Sequence, residues 1–427
     1  MKKRFICCLG IAVLLFTMVG CSSTKKKTTT KTTSKEESVK VDFSDTDADF
    51  KDANVISIGD TSYYYSNPDS GTLKKNTFHI FKVNNEEGSK VKEIITKSGG
   101  YGCPFSLNGD IFYLFTNTQD KTKPLISLYK VEKDKSKTVV INDIKMKNID
   151  LNKYLTNQWA KENINGKINY DDSFTYPVGY FQGKFYFTFD GHFNFLNNNY
   201  DEESYVSNYE NLFYLNLHTG ELKQVDKKLP INEARKYMYI YNGYIYYEHY
   251  NGLDKKDDDF YKPLGTYKLK LSNELNENDK SKVSILGTGG YANGSDTPFY
   301  KGIVQENTIF QYDLKTDKVK NIIHLGDETP YKVFQSRDDY AYLTLKEYSG
   351  TDNKQFKIYY GNLKTGKRVL VDKTSEDNQD WEMYLYGVSD GWLWYDKSIY
   401  DDGKYKDVSS YRVKCSDLNV KEKVPYK

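Results

Sequence analysis

Asn362-Leu363-Lys364-Thr365-Gly366-Lys367 recurs as Asn216-Leu217-His218-Thr219-Gly220-Glu221 and, more loosely, as Asp313-Leu314-Lys315-Thr316-Asp317-Lys318. In each copy an apolar run halts at the leucine, and a turn of small polar residues leads into a second run. That order reads as strand, tight turn, strand. Taking the last apolar residue of the first run as a marker gives Val83, Val131, Leu217, Leu269, Leu314, Leu363 and Val413, spaced by 48, 86, 52, 45, 49 and 50 residues. Two residues before the markers stand Phe81, Tyr129, Leu215, Tyr267, Tyr312, Gly361 and Tyr411. The period of two places marker and mostly aromatic partner on one strand face.

A second landmark precedes the markers. Asn108-Gly109 leads into Ile111-Phe112-Tyr113, Gln182-Gly183 into Phe185-Tyr186-Phe187, Asn242-Gly243 into Ile245-Tyr246-Tyr247, and Asp390-Gly391 into Trp392-Leu393-Trp394. Such pairs suit tight hairpin turns, and the aromatic and β-branched runs behind them suit strands. Gly59-Asp60 and Asp338-Asp339 are looser copies, while near Leu314 the copy is poor and Gly302 is the best candidate. Short strands repeating about every 50 residues fit an all-β propeller of about seven (six to eight) four-stranded blades better than a sandwich. One blade cannot bury both of its faces, so the repeats pack on one another and a closed ring leaves only short edges.

The interval of 86 residues marks an insertion at about 143–177. It holds the one helical candidate, Asn152 to Asn163, where Tyr154, Leu155 and Trp159 fall at spacings that share a helix face. Insertions in repeat proteins often gather on the binding surface. A short helix carrying Trp159 is therefore expected over one mouth of the ring, as part of a ligand site or as a structural plug. The segment Val39 to Phe43 is expected to pair with the last blade and fasten the ring.

At the N-terminus Lys2, Lys3 and Arg4 precede an apolar run of fifteen residues, Phe5 to Val19, which ends in Met18-Val19-Gly20-Cys21. The run is shorter than the roughly 20 residues of a spanning helix, which favours a cleaved export signal, residues 1–20, over an anchor. From Ser22 to Lys40 six lysines accompany two glutamates, with no large apolar residue before Val39. Such a segment cannot bury enough surface to offset chain entropy, so 21–40 reads as a disordered tether. Losing three cations with the signal takes the formal charge from +2 to −1, and the tether holds +4 of it. The body, 41–427, is thus mildly acidic and shows no basic nucleic-acid footprint.

The chain offers no catalytic signature, no cofactor motif and no metal-ligand spacing. His79, His192, His218, His249 and His324 are unpaired at zinc spacing and read as ordinary strand or turn residues. Asp254, Asp257, Asp258 and Asp259 match no calcium loop. Asp45, Asp47 and Asp49 imitate the start of one, but Phe50 occupies the glycine position and Ile56 the glutamate position. Gly287-Thr288-Gly289-Gly290-Tyr291 lacks the following helix of a phosphate cradle, and with Gly99-Gly100-Tyr101 it reads as a turn between blades. Cys103 and Cys415 either bridge opposite ends of the ring or serve as small buried hydrophobes. Trp392 and Trp394 share a strand face, either to stack on a ligand or to pack between blades. Forty tyrosines and 15% aromatic residues fit strands, a sugar-binding surface, or a biased genome.

The segment ending at Cys21 resembles the lipobox of bacterial lipoproteins, with Met18 standing where leucine is usual. The resemblance implies diacylglycerol on the Cys21 thiol and an anchor on the extracytoplasmic face of the cell membrane, in a Gram-positive bacterium by the lysine-, asparagine- and tyrosine-rich composition. From about 54 to 420 the blade rhythm resembles extracytoplasmic β-propeller lipoproteins of unassigned function, akin to receptor propellers but without a Tyr-Trp-Thr-Asp motif. The expectation is a non-enzymatic binding module for an envelope protein, peptide or glycan, with Trp159, Trp392 and Trp394 as ligand contacts. A propeller glycan hydrolase or lyase, or a structural part of an envelope assembly, are the alternatives. Replacing Cys21 by Ser is expected to release the protein from the membrane fraction or leave its precursor uncleaved. Persistence of a mature lipid-labelled form on gels overturns this assignment.

Overall fold

The computed structural model describes residues 50–66, 77–117, 125–143, 175–193, 206–230, 234–250, 263–283, 291–293, 300–305, 307–316, 318–327, 329–336, 338–401 and 404–425. Outside the described residues lie the signal with Cys21, the tether, Val39 to Phe43, and the aspartates at 45, 47 and 49. So do the helical candidate with Trp159, the 254–259 aspartates and Gly287 to Gly290.

Among the described residues the chain is all-β, with only a single 3-10 turn at Glu277–Asp279. It folds as a β-propeller of antiparallel sheets, each built on four consecutive strands, with β1 (Phe50–Lys51) added as a fifth to one of them. The first sheet is β2 to β5 (Val55–Ile58, Thr61–Ser66, Thr77–Asn84, Lys92–Ser98) and the second β6 to β9 (Gly100–Leu107, Asp110–Asn117, Leu125–Glu132, Lys135–Asp143). The third is β10 to β13 (Thr175–Phe181, Lys184–Phe193, Val206–Asn216, Leu222–Gln224), and the fourth β14 to β17 (Ala234–Tyr241, Tyr244–Tyr250, Pro263–Lys270, Ser281–Lys282). Then come β18 to β21 (Tyr291–Asn293, Tyr300–Gln305, Thr308–Asp313, Lys318–His324) and β22 to β25 (Pro330–Gln335, Asp339–Glu347, Lys354–Asn362, Arg368–Lys373). The last is β26 to β29 (Trp381–Ser389, Trp392–Asp401, Lys404–Lys414, Lys421–Val424). First strands touch in the pairs β6 with β10, β10 with β14, β18 with β22, β22 with β26 and β26 with β2, which sets them around the axis.

Every marker stands at or just past the end of a third strand, and the turn pairs join first strands to second. Asn108, Gln182, Asn242 and Asp390 take φ of 47–52° and their glycines 74–80°, the left-handed pair of a type I′ turn. The two landmarks are joined physically. The amide after a third strand donates to a carbonyl of the first turn in five sheets: Asn85 to Asp60 (2.8 Å), Leu217 to Gly183 (3.0 Å), Leu271 to Gly243 (2.8 Å), Leu363 to Asp338 (2.6 Å) and Cys415 to Gly391 (2.7 Å). In the quoted turns Asn216 Oδ1 accepts from the amides of His218 and Thr219, and Asn362 Oδ1 from that of Thr365. The asparagine side chain thereby supplies the acceptor that a free hairpin end lacks.

The fifth sheet corrects the repeat reading. Gly302 lies inside β19, opposite Asn293 and Gln311, and marks no turn. Gly361 breaks the aromatic series because the Tyr340 ring covers it: a Cβ there meets Tyr340 Cζ at 2.1 Å.

Second strands are buried on both faces, since each sheet is sandwiched between two others. Tyr113, Tyr186, Tyr247, Tyr342 and Tyr395 are all fully buried there, which explains why these runs read as continuous aromatic stretches. Their hydroxyls reach neighbouring strands, as when Tyr113 donates to Ser136 Oγ (2.6 Å) and Tyr395 to Asp372 (2.5 Å). Burial would raise the Asp372 carboxyl, but hydrogen bonds from Lys397, Lys421 and Tyr395 hold it down at about 2.

Ring closure needs no shared strand among the described residues. The first and last sheets each draw four strands from their own end of the chain, and β1 (Phe50–Lys51) joins neither. It pairs with β6, Phe50 opposite Leu107 and Lys51 opposite Ser106, on the axial edge of the second sheet. First and last sheets instead meet side chain to side chain, with Val55, Val83, Trp392, Trp394 and Val424 buried in one cluster. Within this seam Arg412 is fully buried. It donates through Nη1 to Asn84 O (2.9 Å) and through Nη2 to Glu86 O (3.0 Å) and Ser89 O (3.4 Å). It also pairs with Glu422 through Nε (2.5 Å) and lies 4.3 Å over the Trp392 ring.

Replacing Arg412 by Ala takes the guanidinium from three carbonyls and leaves Glu422 with the Gly88 amide but no counter-charge. Loss of one partner of a buried pair costs about 3–5 kcal/mol. Urea unfolding of the Arg412→Ala chain should show a loss of that size, and Arg412→Lys should restore little of it, because one ammonium cannot span three separated carbonyls and a carboxylate.

Candidate functional site

The first strands all run from one end of the ring toward the tight-turn end, so their first residues share a mouth. Gly99, at φ 91°, makes the connection between β5 and β6 and so delivers Tyr101 and Cys103 to this end. At the starts of other first strands stand Tyr176, Lys332, Trp381 and Tyr384. Tyr176, Trp381 and Tyr384 are exposed by 44%, 40% and 47%, unlike the buried aromatics of the second strands. Asn378 fixes the Trp381 backbone, accepting its amide (2.8 Å) and donating to its carbonyl (2.7 Å).

Tyr65, at the end of β3, ties these residues together. Its hydroxyl donates to Asn54 Oδ1 at 2.9 Å. Burial pushes it well above the ordinary tyrosine value, and Cys103, Asp52, Tyr384 and Tyr176 push it further. Groups from β6, β10, β26 and the segment after β1 thus act electrostatically on one tyrosine. Lys332 adjoins them: its Nζ sits 3.4 Å from the Tyr384 ring centroid and 5.3 Å from that of Phe334. Burial alone lowers the half-buried Lys332 amine from 10.5 to about 7.

Behind the mouth a narrow crevice separates the last sheet from the first. Tyr64, Tyr65, Tyr386, Trp394 and Tyr411 line it with the buried Asp396, whose Oδ2 accepts from the Tyr386 hydroxyl (2.5 Å). The Trp394 indole N–H has no acceptor among the described residues.

Of the expected ligand contacts, Trp159 lies outside the described residues. Trp392 and Trp394 are placed in the seam instead of at the mouth, each 2% exposed. Trp392 donates to Asn85 O (3.2 Å) and is covered by Arg412, while Tyr64 covers Trp394 at 4.9 Å, so packing between sheets occupies both rings. Trp381, the first residue of β26, is the exposed tryptophan of that sheet. Cys103 and Cys415 are both free thiols, the latter buried and held protonated by burial.

Two carboxyls are raised by burial, Asp226 and Glu248. Asp226 accepts from the Leu212 amide (2.7 Å), Gln224 (2.9 Å) and Tyr237 (3.2 Å), joining the third and fourth sheets, and Glu248 accepts from Tyr250 (2.5 Å). Neither acts on the other, so they form no acid and base pair. Among the described residues no three His, Cys, Asp or Glu gather as a metal site, and no helix is long and apolar enough to cross a membrane.

No family model and no curated protein matches the chain. Among solved structures it is similar to the β-propeller domain of the trilobed protease of Pyrococcus furiosus, at 12% identity over 88% of this chain and 98% of that one, TM-score 0.43. It is also similar to Pyrococcus horikoshii acylaminoacyl peptidase, 13% identical over 89% of this chain, TM-score 0.46, and spans about half, 52%, of that chain. Apo AztD from Citrobacter koseri is 8% identical over 88% of this chain and 94% of that one, TM-score 0.39.

Lys332 gives a stability test with a defined sign. Below pH 7 the amine is charged whether the chain is folded or unfolded, and its burial counts in full against the fold. Between about 7 and 10.5 only the unfolded chain holds the proton, so this cost fades as pH rises. Lys332→Met should therefore raise the melting temperature at pH 6, with a gain that shrinks by pH 9. A pH-independent difference refutes the placement of this amine.

Proposed function

We propose that the protein is a lipid-anchored extracytoplasmic binding module that takes a glycan, peptide or protein partner at the axial mouth. The observation that carries this reading is the exposure of Tyr176, Trp381 and Tyr384 near the starts of two first strands, with Lys332 of a third set against the Tyr384 ring. Large apolar side chains left open at a concave end, on strands rather than loops, are poised to cover a ligand without further ordering. A hydrolytic reading draws no support from the buried carboxyls, which are separate and engaged in packing.

Phe50 begins β1 beside Leu107, at the tight-turn end, and packs against Phe105 at 5.5 Å and Phe185 at 6.4 Å.

Screening the immobilised protein against glycan and peptide arrays is expected to yield a ligand whose retention falls by roughly tenfold or more in the Trp381→Ala, Tyr384→Ala double variant, as loss of two stacking surfaces predicts. Unchanged retention removes the mouth as the site, and turnover of a retained glycan removes the non-enzymatic reading.

A further inference from the structure

We infer that the mouth recognises an anionic group, carboxylate or phosphate, carried on a sugar, with Lys332 as its counter-charge. This rests on the mouth being the binding site and names the ligand chemistry. The first observation is an asymmetry among the covered lysines. Lys130 reaches Asp110 at 2.6 Å, Lys397 reaches Asp372 at 2.8 Å and Lys82 reaches Asp134 at 2.5 Å, so each of these three ammoniums has a carboxylate against it, whereas among the described residues Lys97 rests on the Phe115 and Tyr129 rings alone. Lys332 is half-buried too, yet it has no ion pair or hydrogen bond among the described residues. Its Nζ rests only on the Tyr384 and Phe334 rings.

An ammonium withdrawn from water without an anion is costly, and this cost has no structural return in the sheet. Met in its place fills the same groove over the rings. The arrangement makes sense when the anion arrives with a ligand: the aromatic faces hold the lysine stem, and the amine keeps its donors for an incoming oxygen. A carboxylate or phosphate is the acceptor that strengthens most against such a donor.

The second observation selects the carrier. Tyr384, whose face holds Lys332, is 47% exposed, and the exposed Trp381 begins the same strand. Across the mouth Tyr176 is likewise open. Flat rings beside one cation and uncharged hydroxyls suit a pyranose face with an acidic substituent. An acidic peptide would call for several cations, whereas the exposed Asp52 adds a negative charge near Tyr65.

The test uses the full chain in mild detergent and isothermal titration with four probes: tetragalacturonate, its neutral methyl ester, a tetrasaccharide bearing one phosphate, and tetraglutamate. The wild type is expected to bind at least one acidic sugar about tenfold or more tighter than the methyl ester and tetraglutamate, as a charge-assisted contact predicts. Which sugar binds distinguishes carboxylate from phosphate. Lys332→Met should bring the acid-to-ester ratio to near one without lowering the melting temperature, and Lys332→Arg should keep it. Equal binding of acid and ester, a ratio unchanged in Lys332→Met, or tetraglutamate binding as well as the sugars overturns the inference and leaves the mouth standing. Failure of every probe, with the Trp381 and Tyr384 variants equally inert on arrays, overturns both.

Discussion

The buried guanidinium of Arg412 is the constraint on which the ring depends. A propeller whose first and last sheets share no strand has no backbone ladder across its seam, so side chains must hold it. Arg412 does this from the third strand of the last sheet by binding three carbonyls of the first sheet's outer hairpin, while Glu422 balances its charge. Its planar fork serves separated acceptors that an ammonium cannot reach together. The two tryptophans of the neighbouring strand complete the seam, one under the guanidinium and one against Tyr64.

Elsewhere the ring repeats one local device. In the third, fourth and last sheets a type I′ turn ends the first hairpin, and the amide after the third strand returns to that turn. The two landmarks are therefore two ends of one hydrogen bond, and their common spacing follows from it. Between these fixed ends the second strand is covered on both faces, so its side chains must be large, apolar and able to place a hydroxyl at an edge. Tyrosine meets all three demands, which accounts for much of its abundance without a ligand.

The mouth departs from that economy. Its aromatics are open where the second-strand aromatics are closed, and Lys332 lacks the carboxylate that Lys82, Lys130 and Lys397 hold. Places where packing rules are set aside are where function is to be sought. Gly99 and Asn378 keep the surrounding strand starts in place, so the recess is presented by sheet rather than by loop.

Much of the fold was legible in the sequence because its determinants are local. Turn pairs, the asparagine-capped turn and period-two strands each act within a few residues, and their recurrence alone implied stacked four-stranded sheets. Gly302 misled because a glycine in a strand and a glycine in a turn look alike until strand pairing is known. The site was scarcely legible. Trp392 and Trp394 drew attention as indoles, yet which face of a strand meets another sheet depends on ring closure. Tyr176, Lys332 and Tyr384 belong to three different sheets, and the contact of Lys332 with Tyr384 forms only when successive sheets pack. The sequence by itself determined an all-β repeat and the turns that punctuate it, since these follow from neighbouring residues. Only the tertiary structure decided that Arg412 fastens the seam, that β1 lines the axis, and that an unpaired lysine faces the mouth, because each depends on residues brought together by closure of the ring.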